Sequence, residues 1–384
     1  MRLRPRGRRA PLLALSAAAV LACTGEARAK ECQSALVSTC INSDTFWPNP
    51  GPSTFPNVGS TQTVTAGQVG FGLVTSYQSR PLLLDIPTPG PGGSRQFVVD
   101  NQVTGNFLWA YGVTSRLQLD VALPLTFVQS GAGTSPVTGG AALRDTALRD
   151  MRFGLVYAII PRDRIDPLEA ARRGGAGKAF SLAGRMTFVA PTGDSAELAG
   201  DRTGVFAPSI VADYRISRFV AGADLGARLR PVTEFAGTRV GTQIGTALGV
   251  GYEVLDRELL TIMLEGRALW NLPEQRVVQQ SAFGLSASGV NGKRIVPAEW
   301  MLSARTAPLL GGDVAFTVGG GGPLPLNDGS AFTPRFRFLL GVAYAPVDKD
   351  SDGDGVPDRI DRCPNEPGPK RGERPGCPDA GQAP

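Results

Sequence analysis

The chain has 384 residues, 42% of them hydrophobic and only 19% charged, with 49 Gly, no His and a mean hydropathy near zero. That balance excludes a disordered chain, and no apolar run reaches the roughly 18 residues that a membrane-spanning helix needs. The basic pI of about 9.1 is misleading. Arg2, Arg4, Arg6, Arg8 and Arg9 precede "PLLALSAAAVLAC" and then "ARA", which reads as a secretory signal cut after Ala29. Six Arg (Arg28 is the sixth) and Glu26 leave with residues 1–29, so the mature chain is formally neutral and no nucleic-acid partner is expected. A rival reading makes Cys23 a lipid-attachment site.

Residues 30–62 form a Pro-rich leader containing Cys32 and Cys40. In an exported chain, two close cysteine pairs point to local disulfides, Cys32–Cys40 here and Cys363–Cys377 near the end, the alternative being free or intermolecular thiols. The stretch "TFWPNPGPSTFP" leaves two readings open: a plug folded into a lumen, or a disordered periplasmic leader.

Alternation dominates residues 63–346. In "RLQLDVALPLTF", Leu117, Leu119, Val121, Leu123, Leu125 and Phe127 fall on one face, opposite Arg116, Gln118, Asp120, Ala122 and Thr126. In "RFVAGADLGARLR", Phe219 to Leu229 on odd positions oppose Arg218, Asp224, Arg228 and Arg230. Such segments recur near 66–78, 96–112, 116–128, 149–161, 178–191, 205–216, 218–232, 238–255, 258–272, 296–308, 312–320 and 332–346. Many run past ten residues, longer than the strands of soluble sandwiches. Connections after even segments are short, such as "VTS" and Ser217, whereas long Gly- and Pro-rich stretches near 79–95, 129–148, 192–204, 273–295 and 321–331 follow odd ones. The exception is 162–177, where "DPLEAARRG" predicts a short periplasmic helix. The expected fold is all-β, an antiparallel transmembrane barrel of about twelve strands that meets outer-membrane lipid on its apolar face.

"YGVTSRLQLDVALPLTF", "ALRDMRFGLVYAI", "FVAPTGD" and "FAPSIVADYRISRFVAGADLGARLR" resemble outer-membrane β-barrel proteins of Gram-negative bacteria, of the OmpA-like and porin-like kind. The polar faces place Arg116, Arg152, Arg185, Arg215, Arg228, Arg230, Arg239, Arg267, Arg305, Arg335 and Arg337 in the lumen, with Asp120, Asp213, Asp224, Glu253, Glu265, Glu299 and Asp313. Buried charges must pair or stay hydrated. Either they interlock in a filled, structural barrel, or unpaired Arg line a wet path that favours anions. A passive channel or small-solute transporter is the leading expectation. No enzyme is expected, because without His there is no Ser–His or Cys–His pair and no imidazole zinc site.

Residues 347–384 carry "DSDGDGVPDRIDRC", which resembles a thrombospondin type 3 repeat. The chemistry is also legible directly. Asp350, Asp352 and Asp354, the turn-forming Gly355, the Val356 carbonyl, Asp358 and Asp361 supply hard oxygens at the spacing of a calcium loop. Calcium is the expected cofactor, and no other metal is. The resemblance implies that such repeats commonly separate a barrel from a peptidoglycan-binding OmpA-like domain, or occur in calcium-dependent adhesive proteins; "PDAGQAP" follows the repeat here, with the intended neighbour expected to be missing or on another chain. A periplasmic protein is therefore the candidate partner of the tail, and adhesion an alternative role.

Overall fold

The computed structural model describes residues 32, 37–86, 94–135, 142–162, 179–255, 260–281, 284–306, 309, 314–326, 332–347, 349–370 and 374–378. Twelve long strands follow in chain order: β1 Val69–Ile86, β2 Ser94–Gly112, β3 Leu117–Ser130, β4 Arg152–Ile160, β5 Phe180–Val189, β6 Val205–Ile216, β7 Phe219–Arg228, β8 Gln243–Leu255, β9 Leu260–Asn271, β10 Ala298–Thr306, β11 Val314–Pro323 and β12 Phe336–Tyr344. Each pairs antiparallel with its sequence neighbours, and β1 also pairs with β12 (Phe71 opposite Tyr344, Ser79 opposite Phe336). The sheet therefore closes and leaves no free edge. It is a twelve-stranded antiparallel barrel.

Its two surfaces invert those of a water-soluble protein. Leu225 and Leu248 point outward and are 60% and 68% exposed, while Arg337, Gln78, Gln102, Gln118 and Gln129 are among the most fully buried side chains. Alternation forces this: along β3, Gln118 and Asp120 are buried whereas Leu119 is exposed. An outer face this apolar is stable against lipid and costly against water. Aromatic residues cluster toward its two rims. Phe71, Tyr111, Phe180, Tyr214, Phe219 and Tyr252 lie at one end, and Phe127, Phe188, Phe206, Trp270, Trp300 and Phe336 at the other. Eight residue steps along β6 lead from Phe206 to Tyr214. At about 3.3 Å per residue and roughly 40° of tilt they span about 20 Å, close to the apolar band of a membrane barrel.

Each predicted strand has a counterpart in the wall, and the differences concern length. Part of the segment expected as a loop is strand: β1 and β2 continue their pairing to Ile86 opposite Ser94, past a register shift around Ser79–Leu82, where Arg80 has φ 52°. β8 begins at Gln243, later than expected, because Thr233–Phe235 and Thr238–Val240 form a separate ribbon beyond the wall. The 273–295 connection likewise holds a ribbon of Arg276–Ser281 with Gly284–Val290. The helix expected within 162–177 lies outside the described residues.

The leader decides what the barrel contains. At the end with long connections, Val37 bridges Phe235 and Asn42 bridges Ala199. At the opposite end, Ala66 bridges Gly112, and the Thr65 hydroxyl donates to the Pro346 carbonyl at 3.1 Å. Residues 37–66 thus run through the lumen from one end to the other, so the plug is the arrangement found. Three apolar clusters anchor it. Val37 and Ile41 pack with Leu198, Phe235 and Val240; Phe46 packs with Met301 and Leu339; Phe55 and Val58 pack with Val211, Val220 and Met263. Two glycines of the wall make the last contact possible. A Cβ on Gly222 or Gly249 would stand 2.9 Å from the Phe55 ring, inside the distance real contacts allow.

Candidate functional site: the plugged lumen

The inward faces of the strands meet the leader mainly through charge-assisted hydrogen bonds. Arg337, wholly buried on β12, donates from Nε to Glu299 at 2.9 Å, from Nη1 to Asp44 of the leader at 3.1 Å and from Nη2 to Gln78 at 3.2 Å. Arg267 on β9 completes this knot, reaching Glu299 at 2.6 Å and both the carbonyl and hydroxyl of Thr45 at 2.7 and 2.9 Å. Farther along, Glu265 accepts the backbone N–H groups of Asn57 and Val58, each at 3.0 Å. Asp224 accepts Gly59 N–H at 3.2 Å, Asp213 accepts the Thr61 hydroxyl, and Gln118 accepts Val64 N–H at 2.9 Å. A leader with few backbone partners of its own thereby has its polar groups satisfied by the wall.

The aromatic residues of the leader are used differently. The Trp47 ring has the Arg228 guanidinium 3.6 Å from its centroid and that of Arg152 at 5.5 Å, and Phe46 lies between Arg337 and Arg267 at 5.0 and 5.8 Å. These are cation–π contacts in a poorly solvated space, where they are strongest.

Of the residues assigned to the lumen from sequence, Asp120, Arg152, Arg185, Asp213, Arg215, Asp224, Arg228, Glu265, Arg267 and Arg337 lie on the inward face. Arg185 bonds Asn49 of the leader and stands 4.0 Å from Asp120, and Arg215 pairs with Glu253 at 3.1 Å. Three do not lie there. Arg116 is exposed on the turn before β3, and Arg335 is exposed just ahead of β12, because alternation in the sequence continues past the last wall residue. Arg239 sits in the ribbon beyond the wall, bonded to the Glu274 carbonyl at 3.2 Å. Asp313 is outside the described residues. The sequence reading missed Asp44, Thr45, Trp47 and Asn57, whose segment has no periodicity. It also missed Arg149, which reaches Asn42, Ser43 at 3.2 Å and Thr126 at 3.1 Å from a connection rather than a strand.

In the tail, carboxylate oxygens of Asp350, Asp352 and Asp354 lie within 4.8 Å of one another. The loop is shaped by Gly353 and Gly355 at φ 79° and 84°, whose N–H groups both donate to Asp350 at 2.8 Å. Asp358 accepts from Ser351 and Asp361 from Cys363 N–H, while among the described residues Oδ2 of Asp352 and of Asp361 has no hydrogen-bond partner. The Val356 side chain is buried beneath the loop, and its N–H donates to Asp354 at 2.7 Å. Desolvation, with the charges of Asp354, Asp361 and Asp350, holds the Asp352 carboxyl above the usual range. Cys363 is bonded to Cys377 and Cys32 to Cys40. Three carboxylates thus lie close together, with two more in adjoining turns.

No protein-family model matches the chain, and no curated protein does. Among solved structures, an outer membrane channel from Pseudomonas putida F1 aligns with 74% of this chain and 97% of its own, at 13% identity and a TM-score of 0.49. The NanC porin aligns over 71% and 98% at 8% identity and 0.40, and the KdgM porin over 72% and 99% at 8% and 0.37. Each is a likeness of fold at low identity.

Arg337→Ala leaves Glu299 and Asp44 buried without their shared cation. It is expected to destabilise the folded barrel by about 3–5 kcal/mol, read as a lower temperature for loss of the fast-migrating folded band on a heat-modifiability gel.

Proposed function

We propose that this chain is an outer-membrane channel protein, exported by its first 29 residues, whose lumen is closed by its own leader and whose tail binds calcium in the periplasm. The observation that carries the reading is the course of residues 37–66. A segment running end to end through a barrel marks a continuous path, and the walls of that path are polar. Withdrawn, the leader would leave charged and amide groups that water can hydrate rather than a hydrophobic core that would collapse. Short turns at 113–116 and 217–218 support reading their end as the periplasmic one, by the usual pattern of such barrels, and β12 ends on that same side. A tail on that side favours a periplasmic partner over adhesion to another cell.

A planar-bilayer recording tests this. The mature chain is expected to be silent or nearly so, and a variant lacking residues 30–62, shown to be folded by heat-modifiability, to pass discrete current steps. Silence of that folded variant would instead support a structural barrel, the reading favoured by the fully buried Arg337 knot. For the tail, calcium at millimolar concentration is expected to slow trypsin cleavage around Arg359, Arg362 and Lys370 in the full chain, with magnesium much less effective. Asp352→Asn with Asp354→Asn should abolish the protection, and identical digestion with and without calcium would defeat the calcium reading.

A further inference from the structure

The leader does not fill the lumen completely. Between its Trp47–Pro50 turn and strands β3 to β9 lies a cavity of about 130 Å³. Four guanidiniums border it, those of Arg152, Arg185, Arg228 and Arg267, against the carboxylates of Asp120 and Asp224. Arg267 is already neutralised by Glu299, which lies outside the cavity lining. Three cations therefore face two anions among the side chains that line the cavity, an excess of one positive charge there.

The geometry shows where that charge resides. Arg185 has Asp120 at 4.0 Å. Among the described residues, Arg228 makes one hydrogen bond, to the Thr45 carbonyl at 3.1 Å, and Arg152 makes one, to Asn106 Oδ1 at 3.0 Å; neither has a carboxylate in ion-pair range. Most of their fork-shaped donors remain free beside a cavity that exposes polar surface. A buried cation with neutral partners only is costly, and an anion placed against it offsets that cost. Trp47 holds both guanidiniums through its face and fixes the fork of Arg228 in place.

We infer that this cavity is a binding site for one small monocarboxylate, held by the free donors of Arg152 and Arg228 beside Trp47. The size preference follows from the volume of about 130 Å³, which suits acetate better than a bulkier sugar acid. The charge limit follows from the single excess cation. A carboxylate suits the two-donor fork of Arg better than a spherical ion does. As a solute site the assignment rests on the channel reading; as a binding site it stands without it.

The test titrates acetate into the mature full-length protein in detergent, following Trp emission, with gluconate replacing acetate to keep ionic strength fixed. The expected result is a saturable change with acetate and none with gluconate alone. That change should be absent from Trp47→Phe. Arg228→Gln and Arg152→Gln, each verified as folded by heat-modifiability, should weaken apparent affinity at least tenfold, and Arg228→Lys less than Arg228→Gln. Where a Gln variant does not fold, the acetate-against-gluconate comparison in the parent protein decides by itself. Equal responses to both anions, or unaltered acetate affinity in the folded Gln variants, would overturn the site. Saturable acetate binding together with a silent leader-deleted barrel would keep the site and defeat the channel reading; current without acetate binding would do the reverse.

Discussion

A closed sheet whose outer face is apolar must turn its other side chains inward, and in this chain those are charged. Everything else answers that constraint. Strand alternation gives no freedom to hide Arg337 or Glu265 elsewhere, since shifting register by one residue would expose every charge on a strand to lipid. The inward charges must find partners within a narrow lumen, and residues 37–66 supply many of them: Asp44 for Arg337, Thr45 for Arg267, and the N–H groups of Asn57, Val58 and Gly59 for Glu265 and Asp224.

The plug and the wall are matched in shape as well as in charge. Phe55 reaches Val211 and Val220 because Gly222 and Gly249 lack a side chain where its ring lies. Trp47 is held by the guanidiniums of the wall, so an aromatic residue that is ordinarily an apolar anchor here also quiets two cations. Where the match is incomplete, at the cavity beside Trp47, the surplus is positive.

The wall of the barrel was legible in the sequence because a period of two, sustained over ten residues, has few other physical meanings. Alternation states which face a residue occupies, yet not where a strand stops. Arg116, Arg239 and Arg335 continue the pattern and fall beyond the membrane wall, and β1 runs on to Ile86, past the point where the sequence reads as loop. The leader was the hardest part to read. Its conformation is irregular, its Pro-rich composition fits a plug and a disordered segment alike, and its contacts join residues some 200 positions apart, as Asn57 and Glu265 do. The acidic loop was the reverse case: Asp350, Asp352 and Asp354 gather within one short turn, so spacing alone sufficed to nominate them.

The claim on which the account turns is that the leader occupies the lumen in the membrane-embedded protein. Thr61 of the leader and Ser181 of β5 bring their hydroxyl oxygens to 2.8 Å. Thr61→Cys combined with Ser181→Cys, assembled in lipid and mildly oxidised, should lose both new thiols to a leader–wall disulfide, leaving nothing for a maleimide to label until reductant is added. Two thiols that stay fully reactive after oxidation, in protein that still migrates as the folded form, would place the leader outside the barrel and contradict the account.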